Sequence, residues 1–327
     1  MNTGESSNRK IRPTYKIFQI SKIWLTCFLV YLIPSCENPN YTDYEEPKYN
    51  KQEEKKVNPD VSDYSIGLPN NHGTCFLNAV FQILAKLYGN VFTGKSALAK
   101  AGNKIQTEIN SGKKVLIDEM TTFFNLCKSD AGWDLKLGEG GDPTLYFKCL
   151  AKHLLFKTPE SSYIASCSKC KQAYNLKSDD PFVSIIANSK DPISIDTCFD
   201  YVETQLKCTN CDISLNFKVV LKNLPDIIPI RIGKTRQEEH IPVRNYQTLT
   251  IKSKWKESDN SDTEYKLVGF IWAGKSKNEW HAKSYIRINN TERWMCYDDE
   301  RVTEVTKLEV YDLIEKGMAY FLFYQKK

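Results

Sequence analysis

The sequence predicts an α+β fold, and three observations carry that expectation. An apolar pattern of helical period starts at Cys75. β-Rich runs separated by turn residues fill the last part of the chain. Between these regions stand two C-x-x-C pairs, a spacing suited to a tetrahedral metal site. With 327 residues, 41% of them hydrophobic and 26% charged, the chain has the composition of an ordinary globular protein. Its formal charge of +5 is small, and many lysines sit beside acids. That reads as a solvated surface and makes nucleic acid an unneeded partner.

The first 36 residues have their own character. Residues 8–16, NRKIRPTYK, are basic, and Ile23 to Ile33 is an uninterrupted run of eleven apolar or small residues. Eleven falls short of the roughly 20 that a membrane-spanning helix needs, but fits the apolar region of a signal peptide. The next residues, IPSC, put Cys36 where a bacterial lipobox has its lipidated cysteine. The other reading is a tilted signal-anchor helix beginning near Ile17. Residues 1–36 are thus expected to be a signal peptide or membrane-anchor segment of an exported or membrane-anchored protein. Residues 37–60 have dense mixed charge, three prolines and no apolar period, the composition of a disordered linker. One compact globular domain is expected over 61–327.

That domain opens with SIGLPNNHGTCFLNAVFQIL, residues 65–84. From the thiol onward, Phe76, Ala79, Val80, Ile83, Leu84 and Leu87 recur on one helical face. Thr74 is the expected N-cap, and Gly73 permits a tight approach. Cys75 then lies in the first helical turn, where unpaired N–H groups favour the thiolate, the nucleophilic form. A free cysteine is also commonly a small buried hydrophobe, and the local pattern leaves both readings open. Further on, Glu139–Phe156 reads as a helix. Asp142 ahead of Pro143 makes a good helix start.

Cys167/Cys170 and Cys208/Cys211 are separated by 37 residues, counted between Cys170 and Cys208. Four thiolates at this spacing suit a closed structural zinc site. The alternatives are buried knuckles without metal or one disulfide each. Paired metal spacing among eleven cysteines favours a reducing working compartment.

A thiol nucleophile needs an imidazole to take its proton and a third group to hold the ring. Of four histidines, His72 lies in the turn beside Cys75, His153 in a helical run and His240 in a polar loop. His281 has the best context. Ser284–Ile288 and Arg293–Tyr297 are β-rich around Asn289-Asn290, a reversal signal. With Ile288 opposite Arg293, Asp298 falls opposite Lys283 and on the same face as His281. Diagonal neighbours of this kind are within side-chain reach. A slip of one residue would send Asp298 to the other face. Asp299 is the fallback acid.

These segments together resemble one family. GLPNNHGTCFLNAVFQ (Gly67–Gln82) resembles the cysteine box of the ubiquitin-specific proteases. EYKLVGFIWAG, WHAKSYIRI and RWMCYDDERVTEV resemble their histidine box, and AYFLFYQK their closing strand. The resemblance spans roughly residues 64–326. It implies a papain-like α+β catalytic domain of thumb, palm and fingers, with the fingers at about 160–225. It implies a deubiquitinase that cuts at the C-terminal glycine of ubiquitin. Cys75 would be its nucleophile, His281 its base, Asp298 the orienting acid and Asn70 the side-chain oxyanion donor. Cys167, Cys170, Cys208 and Cys211 would hold structural zinc in the fingers. Asp142 would meet the basic tail of ubiquitin, or serve only as a helix cap. Trp280 and Ala282 depart from the family's Gly and Tyr, and Trp280 would reshape the channel over that tail. These departures keep open a weakly active or inactive ubiquitin-binding module, or a protease for another ubiquitin-like modifier. The expected partners are ubiquitin and ubiquitinated proteins, with the chain a monomer tethered at its N-terminus if Cys36 is lipidated. An export signal on an enzyme of a reducing compartment is reconciled if the chain is an effector that leaves a bacterium for the cytosol of a eukaryotic host.

Overall fold

The computed structural model describes residues 65–327, except 72, 90–91, 93, 135–140, 155–156, 188–191, 201, 235–240, 258–259, 277–278 and 289–290. The expected signal segment, Cys36 and the expected linker lie outside the described residues, as do His72 and His240. Among the described residues, no helix is long and apolar enough to cross a membrane.

Among the described residues, four helices come first: α1 (Cys75–Leu87), α2 (Ala97–Asn110), α3 (Ile117–Ala131) and α4 (Pro143–Ala151). The strands follow: β1 (Glu160–Ser166), β2 (Ala173–Ser178), β3 (Val183–Ala187), β4 (Ile193–Ser194), β5 (Val202–Lys207), β6 (Ser214–Asn223), β7 (Ile227–Lys234), β8 (Val243–Arg244), β9 (Thr248–Ile251), β10 (Thr263–Ser276), β11 (Glu279–Arg287), β12 (Trp294–Asp298), β13 (Arg301–Val305) and β14 (Ala319–Lys326). A last helix, α5 (Lys307–Glu315), lies between β13 and β14. The mixture of early helices and late strands is the α+β organisation expected.

The large sheet runs β13-β12-β11-β10-β14-β7-β3, with β9 paired to β10. A second, four-stranded sheet runs β2-β1-β6-β5 and carries both C-x-x-C pairs at its strand ends. Two clusters of buried side chains build the interior. One joins α1–α4 to the central sheet through Phe81, Phe123, Phe147, Phe321 and Phe323. The other gathers Phe217, Ile230, Trp255, Tyr265, Phe270 and Leu322 with α5.

Helix α1 is more deeply placed than its single apolar stripe suggests. Cys75 to Ala85 are all buried, the polar Asn78 and Gln82 included. The off-stripe Leu77 and Phe81 are buried too. The other helices therefore cover the side of α1 that an ordinary amphipathic helix gives to water. Gly269 on β10 helps it sit close to the sheet, since a Cβ there would come 3.1 Å from Ile83 Cδ1.

Candidate active site

The nucleophile candidate heads α1. Its turn is organised by Asn70, whose Oδ1 accepts from the backbone N–H of Gly73 (3.1 Å) and of Thr74 (3.0 Å). The Thr74 side chain does not cap the helix as expected. Its Oγ1 instead accepts from the Asn71 N–H at 3.1 Å and lies 3.3 Å from Asn70 Oδ1. The first-turn N–H groups of α1 have no intrahelical acceptor, so the end of the helix that bears Cys75 is electropositive.

The β-lobe brings its residues to the same place. Strands β11 and β12 pair Arg287 with Trp294 and Ser284 with Tyr297, which sets Ile288 opposite Arg293 and Lys283 opposite Asp298. His281 Nε2 lies 2.5 Å from Asp298 Oδ1 and 3.9 Å from Asp299 Oδ2. Helix α1 packs against β11 and β12, and the Cys75 thiol lies close enough for its charge to act on the ring. Cys75, His281 and Asp298, far apart in sequence, thus meet at one point.

Burial of the imidazole works against its charge, but the hydrogen bonds to Asp298 and Cys75 and their negative charges outweigh it and raise His281 to about 10. Burial would lift Asp298, yet the His281 hydrogen bond and the Lys283 and His281 charges hold it down at about 2. Asp299 is raised, chiefly by burial. His281 binds its proton more tightly folded than unfolded. Its stabilising contribution is therefore complete below its ordinary value of 6.5 and lost as pH rises through about 10. That of Asp298 is complete above 3.8 and lost as pH falls through about 2. The stability gap between wild type and Asp298→Asn is expected to be widest between about pH 4 and 6.5 and to shrink towards pH 10. Urea titrations at a series of pH values measure it.

Several contacts of the site were not apparent from the sequence. Asp299 sits in the two-residue turn between β12 and β13 with φ 54°. Its Oδ2 accepts from Asn70 Nδ2 and its Oδ1 from Asn78 Nδ2, each at 2.8 Å. Asn78 also donates to the Pro69 carbonyl at 3.2 Å, and Gln82 to that of Ile66 at 3.2 Å. The polar positions of α1 thus tie down the segment that leads into the nucleophile's turn. Gly67 allows that segment to lie against the β12–β13 turn. A Cβ there would meet the Asp299 carbonyl and come 2.6 Å from the Glu300 carbonyl carbon. The Leu68 N–H donates to the Asp299 carbonyl at 2.9 Å. The signal for all this was the box itself: Gly67, Asn70, Asn78 and Gln82 are its polar and small positions.

Asp142 caps α4, accepting from the Thr144 N–H at 2.7 Å and from the Tyr320 hydroxyl at 2.8 Å, both on Oδ1. Trp280 stands at the head of β11 opposite Lys275, next to His281, and is 38% exposed. His153 lies elsewhere, 3.0 Å from Asp130 and 3.2 Å from Ser96 Oγ.

The four cysteines also converge. The sulfurs of Cys167, Cys170, Cys208 and Cys211 lie within 4.8 Å of one another, and those of Cys170 and Cys208 are 3.5 Å apart. Ligands of a tetrahedral Zn–S site about 2.3 Å from the metal stand about 3.8 Å apart, so this donor set fits a thiophilic ion. Tyr174 donates its hydroxyl to Cys208 Sγ at 3.3 Å, an outer contact that supports a thiolate. Each knuckle closes with a left-handed residue after its second cysteine, Lys171 (φ 60°) and Asp212 (φ 53°). The cluster can hold a metal.

Comparison with known proteins points to one family. The family described as ubiquitin carboxyl-terminal hydrolase matches residues 153–324, more than half of the chain and the part that bears the four cysteines, His281 and Asp298. No curated protein matches the sequence. Among solved structures, the SAGA DUB module Ubp8/Sgf11/Sus1/Sgf73 bound to monoubiquitin is similar at 16% identity and a TM-score of 0.57, over 81% of this chain and 70% of that one. The same module bound to ubiquitin aldehyde is similar at 16% identity and a TM-score of 0.55, over 83% and 71%. A structure of the yeast SAGA DUB module is similar at 14% identity and a TM-score of 0.52, over 83% and 70%. At such identities the likeness establishes a shared fold. By its family match and its fold, the chain belongs to the ubiquitin carboxyl-terminal hydrolase family.

Proposed function

We propose that the chain is a cysteine-type deubiquitinase that hydrolyses peptide or isopeptide bonds at the C-terminal glycine of ubiquitin through an acyl-enzyme on Cys75. The observation that carries this reading is the 2.5 Å contact of His281 with Asp298 on two adjacent strands, with the Cys75 thiol, at a helix N-terminus packed on those strands, near enough for its charge to act on the ring. His281 takes the thiol proton, and the thiolate attacks the glycine carbonyl. The oxyanion forms beside the N-terminus of α1. Asn70 Nδ2 carries a second hydrogen besides the one given to Asp299, and it stabilises that charge. Collapse of the tetrahedral intermediate breaks the C–N bond, and the lysine amine leaves with the proton held by His281. Water, deprotonated by the same ring, then attacks the thioester and frees ubiquitin.

Asp142 keeps its capping bonds on one oxygen and offers the other to the basic tail of ubiquitin. Trp280 lines the approach of that tail to His281. In the four-stranded sheet, Cys167, Cys170, Cys208 and Cys211 hold structural zinc. Bound there, the ion would cross-link the two knuckles and take no part in the chemistry.

The reading is tested with fluorogenic C-terminal amides of ubiquitin and of other ubiquitin-like modifiers. Turnover of the ubiquitin substrate alone supports it. Turnover of a different modifier reassigns the substrate. Reversible ubiquitin binding without turnover marks a binding module.

A further inference from the structure

Lys283 stands in the middle of a cross-strand row. It pairs with Trp272 on β10, and the β11–β12 register sets it opposite Asp298. Its Nζ lies 3.0 Å from Asp298 Oδ2 and 5.5 Å from the centre of the Trp272 ring system. The other carboxylate oxygen, Oδ1, holds His281. His281 is two residues back on the same face, its ring 6.4 Å from that of Trp272. Gly274, opposite His281, leaves the indole room, since a Cβ there would come 2.9 Å from it. The Lys283 side chain is only 13% exposed. A lysine held on an aromatic face and a carboxylate, with little access to water, is not an ordinary surface charge.

We propose that Lys283 is a positioning residue for the His281–Asp298 pair: its ammonium clamps one carboxylate oxygen so that the other stays on the imidazole, and its charge biases the proton balance between Cys75 and His281. The proposal rests on the reading of those three residues as catalytic. A carboxylate gripped by two cations through its two oxygens has little freedom to turn away from the ring. The electrostatic bias has a definite sign. A fixed positive charge disfavours the imidazolium and favours the thiolate. Its removal raises the pH at which each group loses its proton. Among the described residues, the other charged or titratable groups around the row are Cys75 on α1, Tyr285 on β11, Asp299 in the β12–β13 turn, Cys296 on β12 and Arg301 on β13, opposite Asp298. All remain when Lys283 alone is replaced.

The test compares the full chain with its Lys283→Met and Lys283→Arg variants. The first readout is the pH dependence of Cys75 alkylation by iodoacetamide, followed on the Cys75 peptide by mass spectrometry, which needs no ubiquitin. The second is kcat and KM on a ubiquitin C-terminal amide. In Lys283→Met the alkylation midpoint is expected to move up by about one pH unit. kcat is expected to fall about tenfold with KM little changed, and Lys283→Arg to recover most of both. A midpoint that stays in place in a folded Lys283→Met chain overturns the proposal. A shifted midpoint in a chain inactive on ubiquitin upholds the clamp and removes the deubiquitinase reading instead. Should the methionine variant not fold, Lys283→Gln against Lys283→Arg gives the same two readouts.

Discussion

Cys75→Ala is expected to lower hydrolysis of a ubiquitin C-terminal amide by about four to six powers of ten, while the protein stays folded and still binds ubiquitin. Residues that act as a catalytic unit lose most of their combined effect when one is removed. The loss should be much larger than that of any partner that only orients. Alanine is well tolerated in the first turn of a helix, and the site loses a single sulfur, so a large change in melting temperature is not expected. His281→Ala should approach the same rate, because the thiol would then lack its proton acceptor and the leaving amine its donor. Steady-state kinetics with binding measured in parallel separate loss of chemistry from loss of recognition. A Cys75→Ala chain that retains a tenth of the rate would place the nucleophile elsewhere.

The second large effect is at the four cysteines. Cys170 is exposed, so its replacement by serine removes little packing. Without a metal, that change should be close to neutral. With zinc bound by four thiolates, it removes one ligand, and the expected cost is more than about 3 kcal/mol. The loss should be local: faster hydrogen exchange in β1, β2, β5 and β6, with α1–α4 little affected. One zinc per chain by elemental analysis, falling in Cys170→Ser, completes the expectation. A chain that carries no metal and is indifferent to Cys170→Ser contradicts it. Cys167, being buried, would be a poorer probe, because its loss destabilises in either case.

What could be read from the sequence divides along a physical line. Local periodicity placed α1, and the hairpin register followed from the reversal signal Asn289-Asn290 in the sequence, because both depend on neighbours in the chain. The meeting of His281 and Asp298 was legible for the same reason: they lie 17 residues apart on adjacent strands. Contacts made across the whole fold were not legible. The bond from Asn70 to Asp299 spans 229 positions and that from Asn78 to Asp299 spans 221. Nothing in local pattern says that buried Asn78 and Gln82 face a peptide segment instead of water. Thr74 has the residue type of an N-cap, but nearby hydrogen bonds with Asn70 and Asn71 claim its side chain. The register put Lys283 opposite Asp298 but said nothing of the indole on its other side. Its role emerged only once Trp272 and Asp298 were placed on either side of it.

The most direct measurement is the reaction of the full chain with ubiquitin carrying a C-terminal propargylamide, followed by intact mass and peptide mapping. One ubiquitin joined through a vinyl thioether to the Cys75 sulfur, at a rate that drops sharply in His281→Ala, is the expected result. A well-folded chain that forms no adduct, or one that couples through a different cysteine, would contradict the account.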